Sequence, residues 1–236
     1  MPDSNARETI LENIRRALQR DSSAAASPTA LSSDVLAQNS LEKNSNGYQH
    51  RPELIERFST EVTRIGGRFQ HCAGEGAAFD YIQEVAKSHQ AKLVISWDVP
   101  IFTGIDLRVQ LAKNGIAFEK ATADMDLISK AAEADIGISG VDYALADTGT
   151  LVLFASVPQP RSVSLLPPVH LAIVKSKQIL PGLSELFPLL GYEQGEQREL
   201  SSAITFITGP SRTADIELKL VVGVHGPQEL HVLLFD

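Results

Sequence analysis

The sequence predicts an α/β fold, with a mainly parallel sheet flanked by helices. Two observations carry this prediction. Apolar runs of strand length alternate with amphipathic stretches of helical period through the first part of the chain, and strand-like runs dominate the later part. The chain is also long enough, at 236 residues with 43% hydrophobic and 21% charged, to bury a sizeable core without disulfides or metals. No internal repeat of solenoid or propeller period is present.

Residues 4–20 read as a helix. Ser4 can cap it, Glu8 lies near its start, and Arg15, Arg16 and Arg20 near its end suit the dipole. Ile10, Leu11, Ile14, Ala17 and Leu18 form one apolar stripe. The following stretch is rich in Ser, Ala and Asn and reads as a linker, so residues 1–46 are taken as a helix on a flexible arm and 47–236 as the α/β domain. Pro52 opens a helix with Leu54, Phe58, Val62 and Ile65 on one face, and Gly66-Gly67 stops it. A strand over 68–72, a helix over 77–88, a strand over 92–96 and a loop over 97–103 follow. Residues 105–113 fit either a strand or a helix; 115–119 is strand-like and 124–134 helical.

Two apolar runs, ending at Gly140 and Ser156, flank the polar turn Asp147-Thr148-Gly149-Thr150. Residues 157–168 read as a loop, 169–174 as a strand and 181–190 as a helix. A strand over 203–208 runs into Gly209-Pro-Ser-Arg-Thr-Ala-Asp215, with a helical turn expected there. Strands over 219–224 and 229–235 close the chain around His225-Gly-Pro227.

The charge of −8 argues against broad binding to nucleic acid or anionic membranes, which needs a basic face. A lone cysteine, Cys72, makes no internal disulfide and holds no iron–sulfur cluster or Cys-based zinc site. No apolar run reaches membrane-spanning length and no secretory pattern opens the chain, so a cytoplasmic location is expected. The phosphate-loop lysine, zinc His-Glu-x-x-His, Gly-x-Ser-x-Gly and dinucleotide glycine patterns are missing.

Several residue groups suit an anion. Free N–H groups after Gly209, with Ser211, Thr213 and the Arg212 fork, fit a carboxylate or phosphate. The structural alternative has Ser211 as a cap and Arg212 paired with an acid. Arg161, with Ser162 and Ser164, can close over an anionic ligand or stand as a surface arginine. In the turn, Gly149 permits close backbone approach, flanked by Thr148 and Thr150; local satisfaction of these groups is the alternative. Asp147 and His225 are the candidates for acid–base work, against roles as a structural acceptor and a turn histidine. His170 reads first as a core histidine, and the other histidines lack metal-ligand spacing, so no metal site is expected.

Four ordered stretches together resemble the lactate-utilisation C proteins of the LUD-domain family. They are 137–150 (Gly-Ile-Ser-Gly-Val-Asp-Tyr-Ala-Leu-Ala-Asp-Thr-Gly-Thr), 159–167 (Gln-Pro-Arg-Ser-Val-Ser-Leu-Leu-Pro), 209–216 (Gly-Pro-Ser-Arg-Thr-Ala-Asp-Ile) and 223–227 (Gly-Val-His-Gly-Pro). The N-terminal Arg-Glu-x-Ile-Leu-x-x-Ile-Arg pattern is similar as well. One departure is Asp147, where the family carries Glu; a direct ligand contact there would shift by roughly an ångström or need a bridging water. The resemblance implies the fold of the ribose-phosphate isomerase, glucosamine-phosphate deaminase and CoA-transferase superfamily. It implies a part in oxidising L-lactate to pyruvate beside partner subunits that carry the iron–sulfur clusters, with no cofactor on this chain. It leaves open a stand-alone enzyme for a phosphorylated or CoA-linked molecule, an assembly or regulatory module, and homo-oligomerisation.

Overall fold

Six parallel strands form the central sheet. Their spatial order is β1 (Arg68–His71), β14 (Glu229–Phe235), β7 (Val169–Lys175), β4 (Ile136–Gly140), β2 (Leu93–Ser96) and β3 (Ala117–Lys120). The α/β class and the parallel sheet expected from the sequence are both present. This computed structural model describes residues 51–99, 102, 104–122, 126–156, 159–190, 192–193, 196–197, 201, 203–214 and 220–235. The helix expected over 4–20 and its arm over 1–46 lie outside the described residues.

The strands feed two apolar layers because successive side chains alternate across a sheet. Along β7, Val169, Leu171 and Ile173 join the cluster built on Phe79, Ile82 and Val85 of α2 (Glu75–Ser88) and Leu111 of α3 (Leu107–Ala112). Ala172 and Val174 join the opposite cluster, which holds Phe58 and Val62 of α1 (Arg51–Arg64) and Ala131 of α4 (Leu127–Glu133). Strands covered on both faces read as continuous apolar runs, as β7 and β14 do.

Local chemistry sets the helix limits. Phe58 and Val62, one turn apart, are the buried face of α1, with Glu53 in its first turn and Arg64 in its last. It ends where the N–H of Gly67 bonds back to the Val62 carbonyl at 2.8 Å. Residues 107–112, ambiguous in sequence, are helical. The Asp106 carboxylate accepts the Val109 N–H at 3.2 Å as an N-cap, and Leu107 and Leu111, one turn apart, are buried together.

A second sheet lies beside the first, in the order β11 (Ile204–Ile207), β6 (Thr150–Phe154), β5 (Tyr143–Leu145) and β8 (Ile179–Leu180). It is antiparallel apart from the β5–β8 pair. Leu151 and Leu153 of β6 face the main core, while Val152 and Phe154 pack with Leu186 of α6 (Leu183–Leu190). Two short hairpins, β9 (Tyr192–Glu193) with β10 (Glu196–Gln197) and β12 (Arg212–Ala214) with β13 (Leu220–Val222), complete the strands.

Two expectations need correcting. The loop over 157–168 contains a helical turn, α5 (Ser162–Leu165), which packs on β4 and β7. The stretch after Gly209 is strand, not helix, because Arg212, Thr213 and Ala214 pair in register with Val222, Val221 and Leu220.

From β2 the chain steps outward to β3 and then crosses back to β4, so the winding direction reverses beside β2 and β4. In open α/β sheets the crevice at the carboxyl ends of strands flanking such a reversal is the usual ligand position.

Candidate functional site

Two of the sequence motifs meet at the last turn of α1. Gly149 has φ +66°, and a Cβ there would lie 2.6 Å from the Val62 nitrogen. The 147–150 turn therefore presses against the helix backbone, and a side chain at this position would collide with it. Gly209 approaches the same turn, 2.8 Å separating its would-be Cβ from the Ile65 carbonyl oxygen. That oxygen accepts a 2.7 Å hydrogen bond from Arg212 Nη2. A guanidinium on the last carbonyls of a helix complements the negative end of its dipole.

The hydroxyls of this region are wired to one another. Thr150 Oγ1 donates to Thr148 Oγ1 at 2.8 Å, and Thr148 donates to Asp147 Oδ1 at 3.2 Å. With its single hydrogen given to Thr148, Thr150 accepts from Thr208 Oγ1 at 2.8 Å. The chain Thr208→Thr150→Thr148→Asp147 thus ends on a carboxylate, which sits over Gly182 at the start of α6.

Ser211 is pinned to the turn before β14. Its N–H bonds to the Pro227 carbonyl at 2.8 Å and its own carbonyl accepts from the Gly223 N–H at 2.9 Å. His225 is exposed in that turn, and Thr213 is half-buried in β12 opposite Val221. Because Gln228 N–H bonds to Pro168, this assembly lies at the amino ends of β7 and β14. Arg161 is placed elsewhere. It is exposed at the start of α5, next to Pro160, whose carbonyl accepts the Trp97 indole N–H at 3.0 Å. Thus the structure gathers Thr148, Gly149, Thr150 and Arg212 around α1, sets Ser211, Thr213 and His225 on the adjoining hairpin and turn, and leaves Arg161 by Trp97.

At the carboxyl ends of β2 and β3, beside the topological reversal, lies an open cavity of 420 Å³. Its walls include Trp97, Phe102, Ile105 and Phe118, and its rim carries Arg108 and Lys120. No sequence motif marked these residues. They come from a loop, a short helix and a strand, and only the sheet order brings them together.

Comparison with known proteins follows the same fold. The LUD domain profile matches residues 55–235. A lactate utilization protein C of Halalkalibacterium halodurans is 36% identical over 179 residues, covering 74% of this chain and 76% of that protein. An uncharacterized protein YkgG of Escherichia coli K12 is 37% identical over 191 residues, 80% of each chain. The chain belongs to the LUD-domain family. A crystal structure of a DUF162-family protein from Deinococcus radiodurans shares the fold, with a TM-score of 0.50 at 18% identity over 79% of this chain and 98% of that one. In this LUD domain no described helix is long and apolar enough to cross a membrane.

Two buried histidines of the LUD domain carry polar chemistry that the sequence reading set aside. His170 on β7 is 1% exposed and pairs through Nε2 with Ser139 Oγ at 2.8 Å. Its Nδ1 and the Ser162 hydroxyl have no partner among the described residues. Burial, aided by the nearby His231, pushes the His170 pKa down to about 3, so the ring is neutral.

His231 on β14 is fully buried. Its Nε2–H donates to Glu229 Oε2 at 3.1 Å, so Nδ1 accepts from the Tyr81 hydroxyl at 2.9 Å. Burial lowers the His231 pKa, and the Glu229 hydrogen bond opposes that in part. For Glu229, burial acts upward, but hydrogen bonds from His89 and His231 and the Arg68 charge prevail and hold its pKa below the usual value. The signal for both histidines was their place inside apolar strands; Ser139 and Tyr81 lie 31 and 150 positions away in sequence, and only Glu229 is a near neighbour of His231. Cys72 is buried, and burial pushes its thiol pKa up, a poor setting for a thiolate ligand.

Proposed function

We propose that this LUD domain serves L-lactate oxidation to pyruvate as a cluster-free subunit, with the iron–sulfur clusters carried by partner chains. The observation that carries this reading is the similarity, over about three quarters of both chains, to proteins named lactate utilization protein C. The single, buried Cys72 supports placing the clusters elsewhere. The chain's own contribution is an anion site. Arg212 gives one N–H to Ile65 and keeps the rest of its exposed fork for a carboxylate; Ser211 lies just before β12, and Thr213, next to Arg212 in the strand, faces the other side. Arg161, exposed beside the Trp97 wall, supplies a second cation for an anionic substrate or partner.

The test is anaerobic affinity purification of the full chain from its native cell, with an iron assay of what accompanies it. The expected result is brown, iron-bearing partner chains at fixed stoichiometry, lost on raising salt if charged surfaces hold them. A colourless, solitary chain at every ionic strength contradicts the reading.

A further inference from the structure

We propose that the cavity at the carboxyl ends of β2 and β3 binds a flat, conjugated organic anion larger than lactate, with Arg108 as its charge partner. Four charged side chains line it. Lys120 and Asp98 compensate each other, Nζ to Oδ2 at 2.8 Å. Asp106 is held by a backbone hydrogen bond, accepting the Val109 N–H as the cap of α3. Arg108 alone has no acidic or hydrogen-bonding partner among the described residues. An uncompensated guanidinium at a cavity rim selects for an anion and offers a bidentate fork to a carboxylate, sulfonate or phosphate.

The walls select the ligand's body. Phe102, Ile105 and Phe118 are apolar yet only half-buried, so each leaves apolar surface at the opening. Trp97 is 3% exposed with its indole N–H given to the Pro160 carbonyl, so it lines the cavity from within the core and leaves the stacking surface to Phe102 and Phe118. Aromatic walls favour stacked, flat partners. The volume of 420 Å³ falls in the class that holds ligands of cofactor or drug size. A lactate molecule would fill a small fraction of it and touch few of these walls. The inference stands apart from the lactate-oxidation reading, since it rests on the cavity's shape and charge alone.

Trp97 makes the proposal testable, because it is the single tryptophan of the chain and lines the cavity. The full-length protein is titrated with anthraquinone-2-sulfonate, a flat anion that quenches indole fluorescence. Saturable quenching is expected, and Arg108→Gln should weaken it about tenfold, the loss of one charge-assisted contact. Ile105→Trp, which fills the space without altering charge, should abolish binding as read by equilibrium dialysis. Arg64→Gln, on the exposed face of α1, should leave it unchanged. L-lactate at matching concentration should not displace the probe. Non-saturable quenching, saturable binding indifferent to both cavity variants, or full displacement by L-lactate would each overturn the proposal.

Discussion

The two ends of the parallel sheet use polar residues in opposite ways. Around the last turn of α1, by the amino ends of β1, β7 and β14, the glycines admit close backbone contact. The hydroxyls there bond to one another and Arg212 bonds to Ile65. At the carboxyl ends of β2 and β3, half-buried aromatic residues surround an open space and Arg108 has no partner. A motif dense in Gly and Thr can thus record how tightly the backbone packs, whereas capacity for a ligand shows in groups the fold leaves uncompensated, Arg108 wholly and the outer fork of Arg212 in part. Substitutions at the two ends should therefore separate stability from binding.

The largest expected effect is Gly149→Ala. The new methyl group meets the α1 backbone at a positive φ, and the loss of stability should be roughly 3–5 kcal/mol. A urea midpoint near wild type would show that the turn can lift away from the helix, dissolving the contrast.

Acid should act on the sheet interior next. The folded-state pKa of His170 is depressed to about 3 from an ordinary 6.5. Its contribution is therefore fully present above pH 6.5 and is lost as pH falls from there toward 3, at up to about 1.4 kcal/mol per pH unit. His231, lowered as well, adds in the same sense. His170→Gln should flatten the decline in stability between about pH 6.5 and pH 5 while lowering stability at neutral pH. An unchanged slope would mean the ring takes up its proton without unfolding.

Arg212→Ala removes one exposed hydrogen bond to the Ile65 carbonyl and should cost about 1 kcal/mol. Binding of the flat probe anion at the other end should be unaffected; a parallel loss would show that the two ends communicate. The smallest effect on stability belongs to Arg108→Gln, within about 0.5 kcal/mol of wild type by urea titration, because nothing in the described structure leans on that side chain.

Much of the architecture was legible because it is local. Gly66-Gly67 ends α1, Asp106 caps α3, and the apolar runs at 136–140, 169–175 and 229–235 are the covered strands. The motif residues around Gly149 and Arg212 were singled out in sequence, but not the reason they lie together, since only the fold brings α1 against both turns. The β12 strand was misjudged because its pairing with Leu220–Val222 is a tertiary fact. The His170–Ser139 and Tyr81–His231 contacts, and the cavity, join residues 31 or 150 positions apart or from three separate elements, beyond the reach of any local pattern.

The most direct test of the central claim is optical. The iron–sulfur partner chains that the proposed role calls for are isolated anaerobically, L-lactate is added, and the visible cluster absorbance is followed with and without this LUD domain. The account predicts rapid bleaching with the wild-type chain present, a much slower change without it, and impaired rescue by Arg161→Ala or Arg212→Ala. Bleaching that proceeds equally fast in its absence would contradict it.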